Sequence, residues 1–436
     1  MNNKLSPFQL IMFVILIVII LIAVAMFAFQ SSKKNSQTVA VTMWGTVDSN
    51  TINQLETQLN EKQKNTINLV YTQKRLDTFE ADMVESLAAG NAPDLFLLPD
   101  SLLLKQQNKL FKIPYANYLQ RDFKTNFIEG SEILLTKDGS WGLPFMVDPL
   151  VLYWNRGKLN NAGLGNPPEF WDDFVDLVPK LVVRDSSLNI QDAAVALGEY
   201  QNIKNAKNIF LTLLMQAGNP VVTLGVNESG EEKYQATFSD RFGFTVRPAD
   251  AALTFFAQFS NPTKDVYTWN RSLPNSDEMF LANDLAFYFG FASEYKNVLE
   301  KNPNLNFDVA IIPQSKSSES NKTIANFSFL TISKNTKNLA SSYAAIKVLT
   351  GNEAQGILAK ITDLPPVRRD LLSQKQDDSV TDIFYRSALI SKSFIDPNPV
   401  ETSKIISEMI ESFTSSRAKL TESIDRAGQQ MFNLIK

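Results

Sequence analysis

Apolar positions set the rhythm of this chain from its first residues. Phe8 to Phe29 is an almost unbroken apolar run, FQLIMFVILIVIILIAVAMFAF, interrupted only by Gln9. About 20 such residues span a bilayer as a helix, so the run predicts a single transmembrane anchor. The alternative is a cleaved signal peptide, for which Ala23-Val24-Ala25 offers a small-residue cleavage site. Lys4 lies before the run and Lys33 and Lys34 just after it, so local charge does not orient the span. A long following domain translocates largely regardless of such charges, which places the bulk of the chain outside the cytoplasm. Ser31 to Thr38 is polar and aperiodic, a short tether.

Beyond the tether the pattern alternates between the two periodicities. Val39 to Trp44 reads as a buried strand, followed by helical spacing at Ile52, Leu55 and Leu59, then a strand at Ile67 to Tyr71. Phe79, Met83, Val84 and Leu87 mark an amphipathic helix closed by Gly90, and Leu95 to Leu98 a third strand. The texture returns with strands at Val151 to Trp154, Phe307 to Ile312 and Ile324 to Ile332. Helices are expected at Phe170 to Leu181, Ile209 to Ala217, Leu339 to Leu349 and Glu353 to Ile361. Ile405, Met409, Ile410 and Phe413 mark a further helix, and Leu420, Ile424, Ala427, Met431 and Leu434 the last. Strands alternating with helices imply parallel βαβ units and an α/β fold.

Composition narrows the chemistry. At 436 residues the chain exceeds one ordinary core, and with 44% hydrophobic and 20% charged residues it belongs with folded globular proteins. A net charge of −4 gives no electrostatic reason to expect nucleic acid. The chain contains no Cys and no His. That excludes Ser-His-Asp and Cys-His catalysis, disulfides, lipoprotein attachment and every imidazole- or thiolate-ligated metal or haem site. No phosphate loop, calcium loop or dinucleotide fingerprint occurs, so neither cofactor nor metal is expected.

Several passages, in order, resemble the extracellular solute-binding proteins of the maltose-binding type. VTMWG (Val41 to Gly45) resembles the first strand of that family, and AAGNAPDLFLLPD (Ala88 to Asp100) the passage into its third strand. LPFMVDPLVLYWNRGKLNNAGL (Leu143 to Leu164) resembles the first crossing between lobes, and PPEFWDDFVDLVPKL (Pro167 to Leu181) the following helix start. MFLANDLAFYFG, FDVAIIPQ, FLTISKNTKNLASSYAAIKVLTGNEAQ and LPPVRRDLL continue the series, the last resembling a third crossing. Two departures stand out. ANFSFL replaces a Gly-rich stretch, and Asn283-Asp284 replaces a Gly-Lys pair.

The resemblance implies a two-lobed, periplasmic-binding-protein-like α/β fold of type II behind the membrane helix. It divides into an anchor and tether (1–37), a first lobe (38–147 plus 318–364) and a second lobe (148–317 plus 365–436). It further implies a monomeric binding component of an ABC importer. Such a protein holds a sugar or oligosaccharide between its lobes, passes it to permease subunits and catalyses nothing. Carried over residue by residue, the ligand positions are Trp44, Asp48, Asp100, Ser101, Asp148, Phe291, Asn326 and Phe327. Tyr200 and Trp269 are added by region and residue type.

Each has a plainer reading: Trp44 as a cap on the first core, Asp148 as a turn residue before Pro149. Trp141 and Trp154 read as core, Trp171 as packing, Asp172-Asp173 as helix-dipole partners, and Asp94 as ordering its own loop. Two other functions compete with transport. One is a membrane-anchored sensor or adhesion protein on the same fold. The other is a carboxylate glycosidase, disfavoured because the adjacent pairs Asp172-Asp173 and Asp377-Asp378 diverge rather than face one substrate.

Overall fold

The computed structural model describes residues 40–62, 67–227, 229–316, 318 and 320–436. The expected anchor and tether lie outside the described residues. Among the described residues no helix is long and apolar enough to cross a membrane.

Three parallel strands open the fold: β1 (Val41–Gly45), β2 (Leu69–Gln73) and β3 (Leu95–Pro99), linked by helices α1 (Ser49–Lys62) and α2 (Phe79–Ala89). Helix α1 buries Ile52, Leu55 and Leu59, the stripe its spacing predicts. Helix α2 ends at Gly90 in the left-handed region (φ 72°), with the glycine N–H returning to the last turn.

Two long strands organise the rest. β4 (Leu143–Asn155) runs 13 residues. It sends Leu143, Phe145 and Val147 into one core and Leu150 through Trp154 into another. In the second half of the chain, β5 (Ile190–Val195) pairs parallel with β8 (Leu285–Phe291), which lies antiparallel on β4, as does β9 (Phe307–Ala310). The hairpin of β6 (Val222–Val226) and β7 (Glu232–Ala236) forms a separate two-stranded sheet. β10 (Thr323–Ser333) then lies between β3 and β4, antiparallel to both. Its Ile324 belongs to the second core, whereas Ala325, Phe327, Phe329, Leu330 and Ile332 belong to the first. The short strand β11 (Ser391–Lys392) pairs with the start of β10.

The main sheet is thus continuous, in the order β2-β1-β3-β10-β4-β8-β5, yet it serves two cores. Both long strands change core within one residue of the same place, at Asp148-Pro149 and at Ile324-Ala325. Pro149 sits directly opposite Ala325. A strand buried on both faces of two successive cores reads as a continuous apolar run, and the polar break marks the changeover.

Each core is closed by helices. α3 (Trp171–Leu181) and α4 (Ala206–Gln216) cover the second core, where the Phe174 ring lies 4.8 Å from Phe287 and 5.5 Å from Trp171. Such offset and edge-on ring pairs add about 0.5–1.5 kcal/mol each beyond area burial. α5 (Pro248–Ala257) packs on the same core, while α6 (Leu339–Leu349) and α7 (Asn352–Thr362) cover the first. In the Leu364–Leu372 passage Leu364 packs against the second core, whereas Val367 and Leu372 are buried in the first, and the Val367 carbonyl accepts the Ile128 N–H at 3.1 Å. Helix α8 (Ser379–Leu389) gives Phe384 to the second core and Ala388 to the first. α9 (Pro399–Thr414) and α10 (Leu420–Ile435) complete the second core.

Asn283, where the family resemblance has glycine, adopts φ 68°. Asn tolerates that left-handed turn better than other side chains, and its Oδ1 accepts a 2.6 Å bond from Asn155 Nδ2. Asp94 orders its loop, accepting bonds from the Thr42 N–H and hydroxyl, the Thr336 hydroxyl and the Asn338 amide.

Candidate functional site

The changeover between cores is where side chains converge. Asn326 lies opposite Asp148 across the β10–β4 ladder. On the other side of β10, Ser328 pairs with Pro99, which sets Asp100 beside Phe327. With strands about 4.8 Å apart, Asp100 and Asp148 stand roughly 10 Å from each other on either side of β10. Four of the expected positions, Asp100, Ser101, Asp148 and Asn326, are therefore gathered around the changeover of the central strands, with the Phe327 backbone between them.

Both carboxylates are held by hydroxyls rather than cations. Asp148 accepts the Ser293 N–H at 3.0 Å and the Ser293 hydroxyl at 2.6 Å, joining the first crossing strand to the second core. Burial pushes its pKa up to about 6, aided by repulsion from Glu294, with the Ser293 bonds acting in the opposite direction. Asp100 accepts the Ser393 hydroxyl at 2.5 Å and the Ser101 N–H at 2.9 Å. Burial pushes it up to about 7, against the hydrogen bonds from Ser393, Ser101 and the Phe327 backbone, and the nearby Asp396 adds to the rise. Asp396 itself, 2% exposed, pairs with Lys207 at 2.6 Å and accepts the Thr402 hydroxyl. Among the described residues, no ion pair reaches Asp100 or Asp148. At pH 7 Asp100 is near its protonation midpoint, able to donate or accept a hydrogen bond, while Asp148 is mostly ionised and accepts.

A cavity of about 630 Å³ is lined by other residues, with none of Asp100, Ser101, Asp148 and Asn326 among them. Leu104, Gln107, Asn108, Thr136 and Trp141 line one wall; Leu224, Glu232, Tyr234 and Leu434 line the other, with Pro397. Trp141 packs on the first core and Tyr234 and Leu434 on the second, so the cavity lies between them. The Tyr234 hydroxyl donates to Gln107 Oε1 at 3.2 Å, and the Lys137 N–H donates to Glu232 at 2.5 Å, both across the gap. Its volume and mixed apolar and polar lining are ordinary for a small-molecule site.

Of the remaining expected positions, Phe291 (opposite Leu150) and Phe327 (opposite Val147) lie beside this changeover, and Trp44, Asp48, Tyr200 and Trp269 lie on other segments. Trp44 is half-buried, edge-on to Phe96 at 6.4 Å, with the Lys74 ammonium 4.0 Å from its ring centroid. Asp48 is exposed and accepts the Asn50 N–H at the start of α1. Tyr200 is half-buried on the second core, its hydroxyl facing Ser403, and burial raises its pKa. Phe291 is 6% exposed, its backbone N–H held by Glu294 and its carbonyl by the Tyr153 hydroxyl. Phe327 is 2% exposed and packs on Phe329. Trp269 is fully buried, with its indole N–H donated to Asn202 at 3.1 Å. Phe327 and Trp269 are thus core side chains; the first brings its backbone to the site and the second supports the fold beneath it.

Sequence reading alone misses Ser293, Ser393, Gln107, Trp141 and Tyr234. Serines and glutamines carry no positional signal, and Trp141, which the pattern places in a core, packs on the first core and also lines the cavity. Only the Gly139-Ser140-Trp141-Gly142 turn hints otherwise, since a large ring between two glycines has little of its own element to pack on. Among the described residues no group of three or more acidic side chains could hold a metal ion.

A sheet shared by two cores, with buried carboxylates where its central strands pass from one to the other, defines a two-lobed binding protein. The chain belongs to the bacterial extracellular solute-binding protein family, whose model matches residues 54–382. The same architecture occurs in a cyclo/maltodextrin-binding protein solved with maltotetraose (TM-score 0.72, 16% identity, 93% of this chain and 99% of that one). It also occurs in the sugar-binding protein MalE from Xanthomonas citri (TM-score 0.71, 16% identity, 91% and 97%). A solute-binding protein from Thermotoga lettingae, solved with α-D-tagatose, gives TM-score 0.62 at 19% identity over 91% of this chain and all of that one. Among curated sequences, a binding protein of Brucella abortus is 28% identical over 98 residues, 22% of this chain. That match spans 24% of the relative's length.

Proposed function

We propose that this chain is the extracytoplasmic binding component of an ABC importer and captures a sugar or oligosaccharide between its lobes. The lobes are 41–147 with 325–372, and 150–324 with 394–436, α8 lying against both; 365–372 goes with the first lobe because Val367 and Leu372 pack there. The observation that carries the reading is the sheet shared by two cores, with the carboxylates Asp100 and Asp148 at the strands' changeover. A polyol suits such a place: hydroxyls exchange bonds with acids poised near neutral pH, while aromatic and aliphatic walls cover the apolar ring faces.

The carbohydrates named for the structural relatives agree with this chemistry. Closure of one lobe on the other buries the guest without altering its bonds. The apolar run 8–29 tethers a monomeric domain outside the membrane, where permease subunits receive the guest.

The test is a thermal melt of the full chain in mild detergent against maltotriose, mannobiose, tagatose, spermidine and a glycerol phosphodiester. A guest at 100 times its Kd adds about 2.7 kcal/mol of stability, well above scatter. A response to one or more of the carbohydrates is expected. A response confined to spermidine or the phosphodiester overturns the sugar assignment.

A further inference from the structure

The β6–β7 hairpin stands apart from the main sheet and is fixed to the second core at its base. The buried Asn219 amide donates to the carbonyls of Thr237 and Phe238, and its Oδ1 accepts the Val221 N–H, so both strands leave the lobe from one clamp. Along β7 the side chains at Glu232 and Tyr234 share a face, because strand positions alternate. Both reach across the cavity to the other lobe: Glu232 to the Lys137 N–H, Tyr234 to Gln107.

Opposite them stands Trp141. Its indole N–H is buried and lacks an aligned hydrogen bond, although the Tyr234 hydroxyl lies beside it. An orphaned buried donor costs free energy that a suitable acceptor would recover. The Lys112 ammonium lies 4.8 Å from the Trp141 ring centroid and pairs with Asp138, which steadies the indole. Beneath the pair, the cavity runs from Leu224 and Leu434 inward to Leu104, one helical turn beyond Asp100, and to Pro397, next to Asp396.

We propose that this hairpin is the gate of the cleft, and that Trp141 with Tyr234 determines which guest is kept: a saccharide laying one ring face on the indole and placing a hydroxyl between the indole N–H and the tyrosine hydroxyl. The inference rests on the carbohydrate reading above and specifies it. In this arrangement the guest's hydroxyl accepts from Trp141 and donates to, or accepts from, Tyr234. The contacts that clasp the two lobes then pass through the guest. Loss of the indole removes the platform; loss of the tyrosine hydroxyl keeps the ring but loosens the clasp.

The experiment uses the full chain in mild detergent, with whichever of maltotriose, mannobiose or tagatose the wild-type protein binds. Calorimetry and stopped-flow displacement are applied to Trp141→Leu, Trp141→Phe and Tyr234→Phe, each checked for an unliganded melting temperature near the wild-type value. Trp141→Leu is expected to weaken binding by about tenfold or more, as for a central aromatic contact, with Trp141→Phe recovering part of it. Tyr234→Phe is expected to speed release several-fold, and it remains informative if Trp141→Leu fails to fold. Wild-type affinity and release rate in both Trp141→Leu and Tyr234→Phe would overturn the gate while leaving the sugar reading intact. Absence of carbohydrate binding by the wild-type protein would remove the reading beneath it.

Discussion

Asp100→Asn should make the protein more stable at pH 8 and change little at pH 5. In the folded chain the Asp100 carboxyl is pushed up to about 7, chiefly by burial. Unfolded, it titrates near 3.9. Between those values the native state holds a proton that the unfolded state has released, so this group's contribution falls as pH rises. It is fully present below about pH 4 and lost by the time pH passes 7. Holding the proton over that whole interval corresponds to roughly 4 kcal/mol as an upper bound, and partial solvent access at the cleft reduces this to about half. Asparagine keeps the geometry: its oxygen accepts the Ser101 N–H and its amide donates to the Ser393 oxygen, with no charge to desolvate. Urea denaturation of both proteins at pH 5, 6, 7 and 8 measures the difference. The two stability curves should diverge by about 1–3 kcal/mol across that range, since only the part of the interval above pH 5 is sampled. Parallel curves would refute the idea that Asp100 is a buried, uncompensated acid.

Other substitutions probe the frame around the site. Asp148→Ala should weaken carbohydrate binding by about 1–3 kcal/mol, because the Ser293 donors it accepts lose their partner and the guest loses a contact; calorimetry at pH 7 measures this, and unchanged affinity removes Asp148 from the site. Gly142→Ala should destabilise by about 1–3 kcal/mol, since an added Cβ would meet the Leu330 carbonyl oxygen on β10; a variant with the wild-type urea midpoint contradicts that close approach. Phe174→Ala should cost about 3–5 kcal/mol by emptying the ring cluster with Trp171 and Phe287, read from the same urea transitions. Asp94→Ala should cost about 1–3 kcal/mol by leaving the Thr42 and Thr336 donors without their acceptor, with no change in carbohydrate affinity.

The periodicities carry most of the fold. The α1 stripe at Ile52, Leu55 and Leu59, the helix at Leu339–Leu349 and the third strand from Leu95 follow from spacing alone, because a single buried face dictates each. β4 is harder. Pattern shows only Val151 to Trp154, since Pro144, Asp148 and Pro149 break the apolar run, yet the strand extends back to Leu143. Its two halves face different cores, so no single periodicity describes it. Asp148 and Asp100 are legible through family resemblance, and their shared place at the changeover then follows from register. The serines that hold them are not legible, because hydroxyl partners are chosen by three-dimensional proximity across 145 residues for Ser293 and 293 for the Asp100–Ser393 pair. Trp269 illustrates the opposite error: a large ring with a polar handle suggests a binding platform, but its N–H is satisfied by Asn202 inside the core.

Whether the two cores close on a carbohydrate guest is tested most directly by an intramolecular distance. The chain has no cysteine, so Glu61→Cys on α1 and Lys301→Cys on the second lobe, both exposed, give a uniquely labelled pair for single-molecule energy transfer. Saturating oligosaccharide should move the population to a single narrower distance that the ligand-free protein visits only in part. An unchanged distribution at a ligand concentration that calorimetry shows to be saturating would contradict closure of the lobes around the guest.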